Sequence, residues 1–187
     1  MRDKPKFILA EALGVASQLV GLMQPHVERI QIAGSIRRCK PAVGDIEILY
    51  VPKIRMDKVG LFDENEQVNL TDRFLDGLIS RCVIERRTNA SGAMAWGPKN
   101  KLGRHLASGI PVDFFATTPE NWFVSLVIRT GSKESNLALT TGAQRLGRTL
   151  NAYGCGVTGP DGTVIPATSE RHVFELCGVA YREPHCR

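Results

Sequence analysis

The strongest constraint on the fold comes from residues 45–52, DIEILYVP, which place two acids within an apolar run. Successive side chains of a strand point to opposite faces, so Asp45 and Glu47 share one face while Ile46 and Ile48 share the other. The segment is therefore predicted to be a strand with one acidic and one apolar face. Adjacent acids on a strand usually mark only a solvated edge, so the pair alone does not define a site.

The rest of the chain divides into helical and strand-like segments. Apolar residues at intervals of three or four predict helices, and short apolar runs between turn residues predict strands. The predicted helices span residues 5–23, 70–79, 118–128 and 134–146, followed by a closing helix capped by Ser169. The predicted strands span residues 27–34, 45–52, 82–87, 93–96 and 111–116, with a small hairpin around GPDG at 159–162. Residues 53–67 are predicted to form a loop.

Composition restricts the class of protein. With 43% hydrophobic and 23% charged residues, the 187-residue chain is typical of soluble globular proteins, and its net charge of +5 favours a polyanionic partner. Five cysteines without CxxC spacing indicate neither a disulfide framework nor a zinc site, which fits a reducing cytoplasm. The first twenty residues imitate a signal peptide, but Glu11 and Gln18 interrupt the apolar run, so neither secretion nor a membrane span is predicted.

Three further features give the acid pair a chemical meaning. The turn at Gly34 and Ser35 precedes the acids, and its backbone N–H groups and hydroxyl could hold an anion. Arg37 and Arg38 follow as donors suited to phosphate. A third acid, Asp113, lies between apolar residues in GIPVDFFA, where an unpaired carboxylate is costly.

Three converging carboxylates would repel one another unless cations neutralised them. Hard oxygen ligands favour Mg²⁺ or Mn²⁺, and two such ions are the known device for in-line phosphoryl transfer. The residues therefore predict a site in which acids hold two metal ions, while the arginines and the glycine turn hold a phosphate chain.

The arrangement resembles the nucleotidyltransferase superfamily, and within it the family X DNA polymerases. GSIRR and GDIEI resemble the family's GS-x-RR and GD-x-D motifs, and VDFF resembles the strand that carries its third catalytic acid. RTGSKESN, RLGRTLNAYG and YREPHCR are similar to ordered motifs of the polymerase C-terminal subdomain. The resemblance runs from about residue 10 to the end of the chain.

The resemblance implies a fold and a set of roles. It implies an α/β palm, a mixed sheet with helices on one face, over residues 1–118, and a small α+β nucleotide-selection subdomain over residues 119–187. Asp45 and Glu47 would bridge both metals, and Asp113 would bind the catalytic metal and accept the proton of the primer 3′-hydroxyl. The nucleotide contacts that it implies are Gly34, Ser35, Arg38, Gly44, Thr130, Gly131, Ser132 and Asn136.

Some details follow from the family pattern and others depart from it. The family's TGS turn contains a cis peptide, which is expected here between Gly131 and Ser132. Glu47 stands where the family usually has aspartate, which leaves metal preference open. Ile128 and Arg129 replace the aromatic residues that commonly precede TGS, which leaves sugar selectivity open. About thirty residues before Gly34 leave no room for the family's amino-terminal lyase domain, so no lyase activity is expected.

The predicted function is that of a monomeric Mg²⁺-dependent or Mn²⁺-dependent DNA polymerase. It would add deoxynucleotides from nucleoside triphosphates to a primer 3′-hydroxyl in gapped or primer-template DNA during repair, in the cytoplasm or on nucleoid or viral DNA. Basic clusters at residues 86–87 and 99–104 could follow the primer backbone. Template-independent transfer to a DNA or RNA end or a small molecule is one alternative, and an inactive nucleic-acid-binding module is another.

Overall fold

The computed structural model describes residues 6–59 and 64–187 as a mixed α/β protein. The strands of the first part are β1 Phe7–Ile8, β2 Val27–Ile32, β3 Ala42–Val43, β4 Ile46–Pro52, β5 Ile54–Val59, β6 Glu64–Asn69, β7 Ile84–Arg86, β8 Asn100–His105 and β9 Pro111–Ala116. Its helices are α1 Leu9–Met23, α2 Gly34–Arg37 and α3 Leu70–Ser80. The second part contains α4 Trp122–Thr130, α5 Lys133–Arg145, β10 Thr149–Asn151, β11 Gly156–Thr158, β12 Val164–Ile165 and α6 Glu170–Leu176.

A five-stranded sheet forms the centre of the first part, in the order β2-β4-β9-β8-β7. Strands β4 and β9 are parallel, and the other pairs are antiparallel. Helices α1 and α3 cover one face, because their apolar stripes pack against the alternate apolar residues of the strands. The parity predicted for residues 45–52 is confirmed, since Ile46 and Ile48 are fully buried in this core.

The second part has its own apolar core. Strands β10, β11 and β12 form a three-stranded antiparallel sheet, and α4, α5 and α6 pack around it. Helix α4 also reaches the central sheet, where Trp122 and Leu126 pack on Leu49, Val51 and Phe115. Helix α4 therefore covers part of the sheet face opposite to α1 and α3, which is the face that carries the acids.

Two predictions about strands in the first part were wrong. The predicted loop at 53–67 contains a two-stranded antiparallel hairpin, β5 and β6, although residues 60–63 lie outside the described residues. Ile54 and Met56 alternate with charged residues in β5 but are more than half exposed, and β6 is mostly polar, so the hairpin depends on pairing between its strands and lacks a continuous buried apolar face. The predicted strand at 93–96 makes only isolated bridges through Met94 and Trp96, whereas β8, which was not predicted, completes the sheet.

Helix boundaries also differ from the predictions. Residue 5 lies outside the described residues, and Ile8 belongs to β1 with 67% of its surface exposed. The Thr118 hydroxyl accepts a hydrogen bond from the Asn121 backbone, so this segment is a turn and α4 begins only at Trp122. The hairpin at GPDG and the Ser169 cap of α6 are confirmed.

Candidate active site

The three acids meet on one face of the central sheet. Glu47 on β4 is directly opposite Asp113 on the parallel strand β9, and Asp45 immediately precedes β4 with the same parity as Glu47. Burial raises the pKa of Glu47 to about 7, and the negative charges of Asp45 and Asp113 contribute to that rise. The structure therefore brings the three acids together, although Asp45 and Asp113 are 68 residues apart in the sequence.

Two arginines bring positive charge to these acids. Arg87, just after β7, forms an ion pair with Asp113 and donates a further hydrogen bond to the Gly103 carbonyl at 3.2 Å. Arg129, in the last turn of α4, lies with its guanidinium 3.6 Å from the ring centre of Phe115. Burial lowers the pKa of Arg129, and the charges of Glu47 and Asp113 oppose that shift. Sequence reasoning assigned neither arginine to the acids, because no local pattern shows which charges meet across a sheet.

The acids are a suitable donor set for a hard divalent cation. All three supply carboxylate oxygens, and they lie close enough for their charges to repel one another. Among the side chains that the structure describes, no three His, Cys, Asp or Glu residues are arranged so that they could hold one metal ion. The orientation of Asp113 toward Arg87 gives a physical reason, since that carboxylate is engaged by a cation of the protein itself. Carboxylate oxygens of this kind are the donor chemistry that Mg²⁺ and Mn²⁺ prefer.

The glycine turn packs directly against the acid strand. The Ala33 N–H donates to the Glu47 carbonyl at 2.8 Å, which fixes the turn beside β4. Gly34 has a φ of +62°, and a Cβ at this position would overlap the Glu47 carboxylate. Only glycine combines this left-handed backbone with so close an approach. Gly44, which precedes Asp45, is open on its side-chain side.

Buried donors remain available beside the turn. Ser35 Oγ and Arg38 Nε are both buried and have no hydrogen-bond partner among the residues that the structure describes. Leaving such groups unpaired costs about 1–3 kcal/mol each, which is seldom tolerated without a reason. A negatively charged ligand beside the turn would satisfy both groups.

The paired arginines of GSIRR contact the second part of the chain. Arg37 donates to Thr130 Oγ1 at 2.8 Å and forms a bidentate pair with Glu170 at 2.5 and 2.9 Å. Arg187 reaches the same carboxylate at 2.7 Å. Arg38 donates to the carbonyls of Thr130 and Gly131. The turn therefore ties the central sheet to α4, α6 and the last residue, a set of contacts that the sequence did not reveal.

The TGS segment has a different geometry from the one expected. None of the described peptide bonds is cis, so the Gly131–Ser132 prediction was wrong; the trans form avoids a cost of about 3–4 kcal/mol. Ser132 caps α5 by accepting a hydrogen bond from the Ser135 N–H at 3.2 Å. Asn136 donates to the Ile128 carbonyl at 2.9 Å, so its amide nitrogen is held by the end of α4.

Comparison with known proteins supports part of this interpretation. Residues 125–187 match the family model described as DNA polymerase beta thumb. This similarity supports a family X polymerase-related domain in the second part of the chain, and the matched residues include the TGS segment and α6. No curated protein matches the chain.

The structure also bears on two of the remaining predictions. Among the described residues, no helix has the length and apolar content to cross a membrane. The five cysteines, for which no disulfide framework is predicted, are free thiols; Cys177 is buried, whereas Cys39, Cys82, Cys155 and Cys186 are exposed.

Proposed function

We propose that the protein is a metal-dependent DNA polymerase of the family X type. The carrying observation is the pairing of Glu47 with Asp113 on adjacent parallel strands, next to Asp45 and beneath α4, whose C-terminal half lies in the thumb-like segment. Transfer of a nucleotide to a hydroxyl needs metal ions and a bound nucleotide at the same place. The three acids would hold the metal ions, and the adjacent thumb-like segment, residues 125–187, would contact the nucleotide. The setting we propose is short-gap filling in DNA repair, by a monomer.

Each acid has a distinct task in this proposal. Asp45 and Glu47 would hold both divalent ions, and Asp113 would hold the catalytic one and take the proton of the primer 3′-hydroxyl. When bound, the ions would lower the pKa of the attacking hydroxyl and neutralise charge on the triphosphate. Glu47 is longer by one methylene than the aspartate usual in the family, and its close packing under Gly34 fixes where the carboxylate lies.

The phosphate chain would lie at the glycine turn. The unpaired buried donors Ser35 Oγ and Arg38 Nε support this position, since phosphate oxygens would satisfy both. Arg38 also contacts the carbonyls of Thr130 and Gly131, so a bound triphosphate and the thumb-like segment would share one guanidinium. A bound nucleotide would therefore be linked to the TGS segment through the Arg38 side chain.

DNA would run along the edge of the sheet that carries β7 and β8. Arg104 is half exposed there and makes only a long contact of 3.4 Å with Glu85, so it is available to a phosphate. Lys99 is exposed and donates to the Tyr153 carbonyl at 3.1 Å, which places its ammonium at the junction of the two parts. If several such residues contact phosphates, DNA affinity must fall steeply with salt concentration, and a flat dependence would contradict this path.

Nucleotide addition to a labelled primer tests the proposal. The protein is incubated with Mg²⁺ or Mn²⁺ and single nucleoside triphosphates, with the primer either annealed across a short gap or left single-stranded. We expect addition of the complementary deoxynucleotide on the gapped substrate, and its loss in Asp113→Asn. Asp161→Asn is the matched control, because Asp161 is exposed and bonds only locally to Thr163 among the contacts described.

The same assay separates the alternatives. Addition that ignores the template base would indicate a terminal transferase, and transfer only to RNA would indicate a non-DNA acceptor. Addition that is equal in wild type and Asp113→Asn would contradict the role of Asp113. No addition on any substrate, with DNA binding retained, would indicate an inactive binding module.

A further inference from the structure

Arg129 places a positive charge on the face of the central sheet that carries the acids. Asp113 and Phe115 are two residues apart on β9, so their side chains share a face, and Glu47 is paired with Asp113 on the next strand. The Arg129 guanidinium lies 3.6 Å from the centre of the Phe115 ring. The guanidinium therefore lies on the face of the sheet that carries the acids, over the residue two positions beyond Asp113.

The Arg129 guanidinium contacts the faces of two aromatic rings. Besides Phe115, the Tyr153 ring lies 4.7 Å from the guanidinium, and Tyr153 belongs to the loop between β10 and β11. Contacts of a guanidinium with ring faces are attractive, and they gain strength where water is excluded. The stack thus holds one positive charge at the junction of the central sheet and the second part.

The charge of Arg129 acts on the same carboxylates that the proposed metal ions would use. Its electrostatic partners are Glu47 and Asp113, and it opposes the repulsion among the acids. A guanidinium cannot be deprotonated at ordinary pH, so its charge stays in place when a cation arrives. A divalent ion entering the acid cluster must therefore overcome the repulsion of Arg129 or displace its side chain.

We propose that Arg129 is the built-in counter-cation of the Glu47 and Asp113 carboxylates and that it competes with divalent metal for them. The inference rests on the proposed metal site, and it assigns to Arg129 a positioning role that stabilises the acids without metal and weakens metal binding. Arg87 also pairs with Asp113, but its additional hydrogen bond to the Gly103 carbonyl fixes it to the sheet. Arg38 also acts on Glu47, but it is bonded to the Thr130 and Gly131 carbonyls and lies in the proposed phosphate site, so Arg129 is the arginine changed in the test.

Direct measurement of Mn²⁺ binding tests this competition without using activity. Free Mn²⁺ is followed by its electron paramagnetic resonance signal during titration of the metal-free protein, at one fixed pH for all variants. Arg129→Met keeps an apolar stem over Phe115 but removes the charge, and we expect its Mn²⁺ dissociation constant to fall about tenfold. Arg129→Gln is a second neutral variant in case Arg129→Met does not fold, which circular dichroism reports.

The controls separate charge at the site from net charge and from packing. Arg129→Lys keeps the charge, so its dissociation constant should equal that of wild type. Arg145→Met changes the net charge equally at an exposed position in the last turn of α5, and it should leave Mn²⁺ binding unchanged. Asp113→Asn should weaken Mn²⁺ binding if the acids hold the ion.

The results distinguish failure of the inference from failure of the proposed function. Weaker binding in Asp113→Asn together with unchanged or weaker binding in the neutral Arg129 variants would overturn the competition alone. Tighter binding in Arg129→Lys, equal to that in Arg129→Met, would also overturn it, since packing and not charge would then be responsible. Mn²⁺ binding that Asp113→Asn leaves unaffected would overturn both the metal site and the inference.

Discussion

Replacing Glu170 by glutamine should destabilise the whole protein, because this carboxylate joins its two parts. Glu170 accepts hydrogen bonds from Arg37, next to the glycine turn, and from Arg187 at the end of the chain. The side chains of Glu170, Arg37 and Arg187 are only 14%, 18% and 0% exposed, so water has little access to replace the lost partner. Glu170→Gln leaves two buried guanidinium groups facing a neutral amide.

The size of the effect follows from that burial. Removing one partner of a buried ion pair costs about 3–5 kcal/mol, since the remaining charge is left uncompensated. Glutamine keeps one acceptor oxygen, so we expect the lower end, about 3 kcal/mol. In a chain of 187 residues this corresponds to a fall in melting temperature of about 6–12 °C.

The pH dependence provides a second signature of the same carboxylate. Burial alone would raise the pKa of Glu170, but hydrogen bonds from Arg37 and Arg187 hold it below the usual value of 4.5. Because the pKa is lower in the folded state, the stabilisation is present above pH 4.5 and is lost as the pH falls through the folded-state pKa. The difference in free energy of unfolding between wild type and Glu170→Gln should therefore shrink in acid.

Urea denaturation followed by circular dichroism measures both effects. Glu175→Gln is the matched control, because Glu175 is exposed on the same helix and should change the free energy of unfolding by less than about 0.5 kcal/mol. If Glu170→Gln were as stable as Glu175→Gln at neutral pH, the network would not be holding the two parts together. A difference that stayed constant in acid would refute the pKa argument.

Three further predictions use stability and reactivity. Gly34→Ala should cost more than about 2 kcal/mol in urea denaturation, because of its left-handed backbone and the Glu47 overlap, whereas Gly14→Ala, in open space on α1, should stabilise by about 0.5–1 kcal/mol. Burial lowers the pKa of His105 below 6.5, so stability should fall as the pH drops below 6.5, and His105→Asn should remove that fall. Burial raises the pKa of the Cys177 thiol to about 11, so a thiol reagent should modify the four exposed cysteines first and this one only after unfolding.

Local patterns in the sequence were sufficient for much of the fold. The alternation in residues 45–52 defined β4 and the acid face, because side-chain parity is a property of a single strand. The apolar periodicity of α3 and the cap at Ser169 were also local, and both elements are present. The hairpin of β5 and β6 was missed because β6 is mostly polar and the apolar Ile54 and Met56 of β5 stay exposed, so its strands are defined by pairing with each other.

Only part of the site could be predicted from the sequence, because many of its charged side chains contact residues that are far away along the chain. The convergence of Asp113 with the acid pair was predicted, and the register of β4 and β9 places them together. The partner of Arg37, by contrast, is 133 residues away, and nothing local marks Glu170 as that partner. The place of Arg129 over Phe115 likewise depends on how α4 packs on the sheet. Such contacts are products of tertiary packing.

A crystal structure of the protein with gapped DNA, an incoming nucleotide and Mn²⁺ would test the central claim most directly. Anomalous scattering from manganese locates the ions without assumption about their ligands. We expect two peaks shared by Asp45, Glu47 and Asp113, with the triphosphate on Ser35 and Arg38. Manganese at other residues, or a triphosphate bound away from the glycine turn, would contradict the assignment of this face as a nucleotidyl-transfer site.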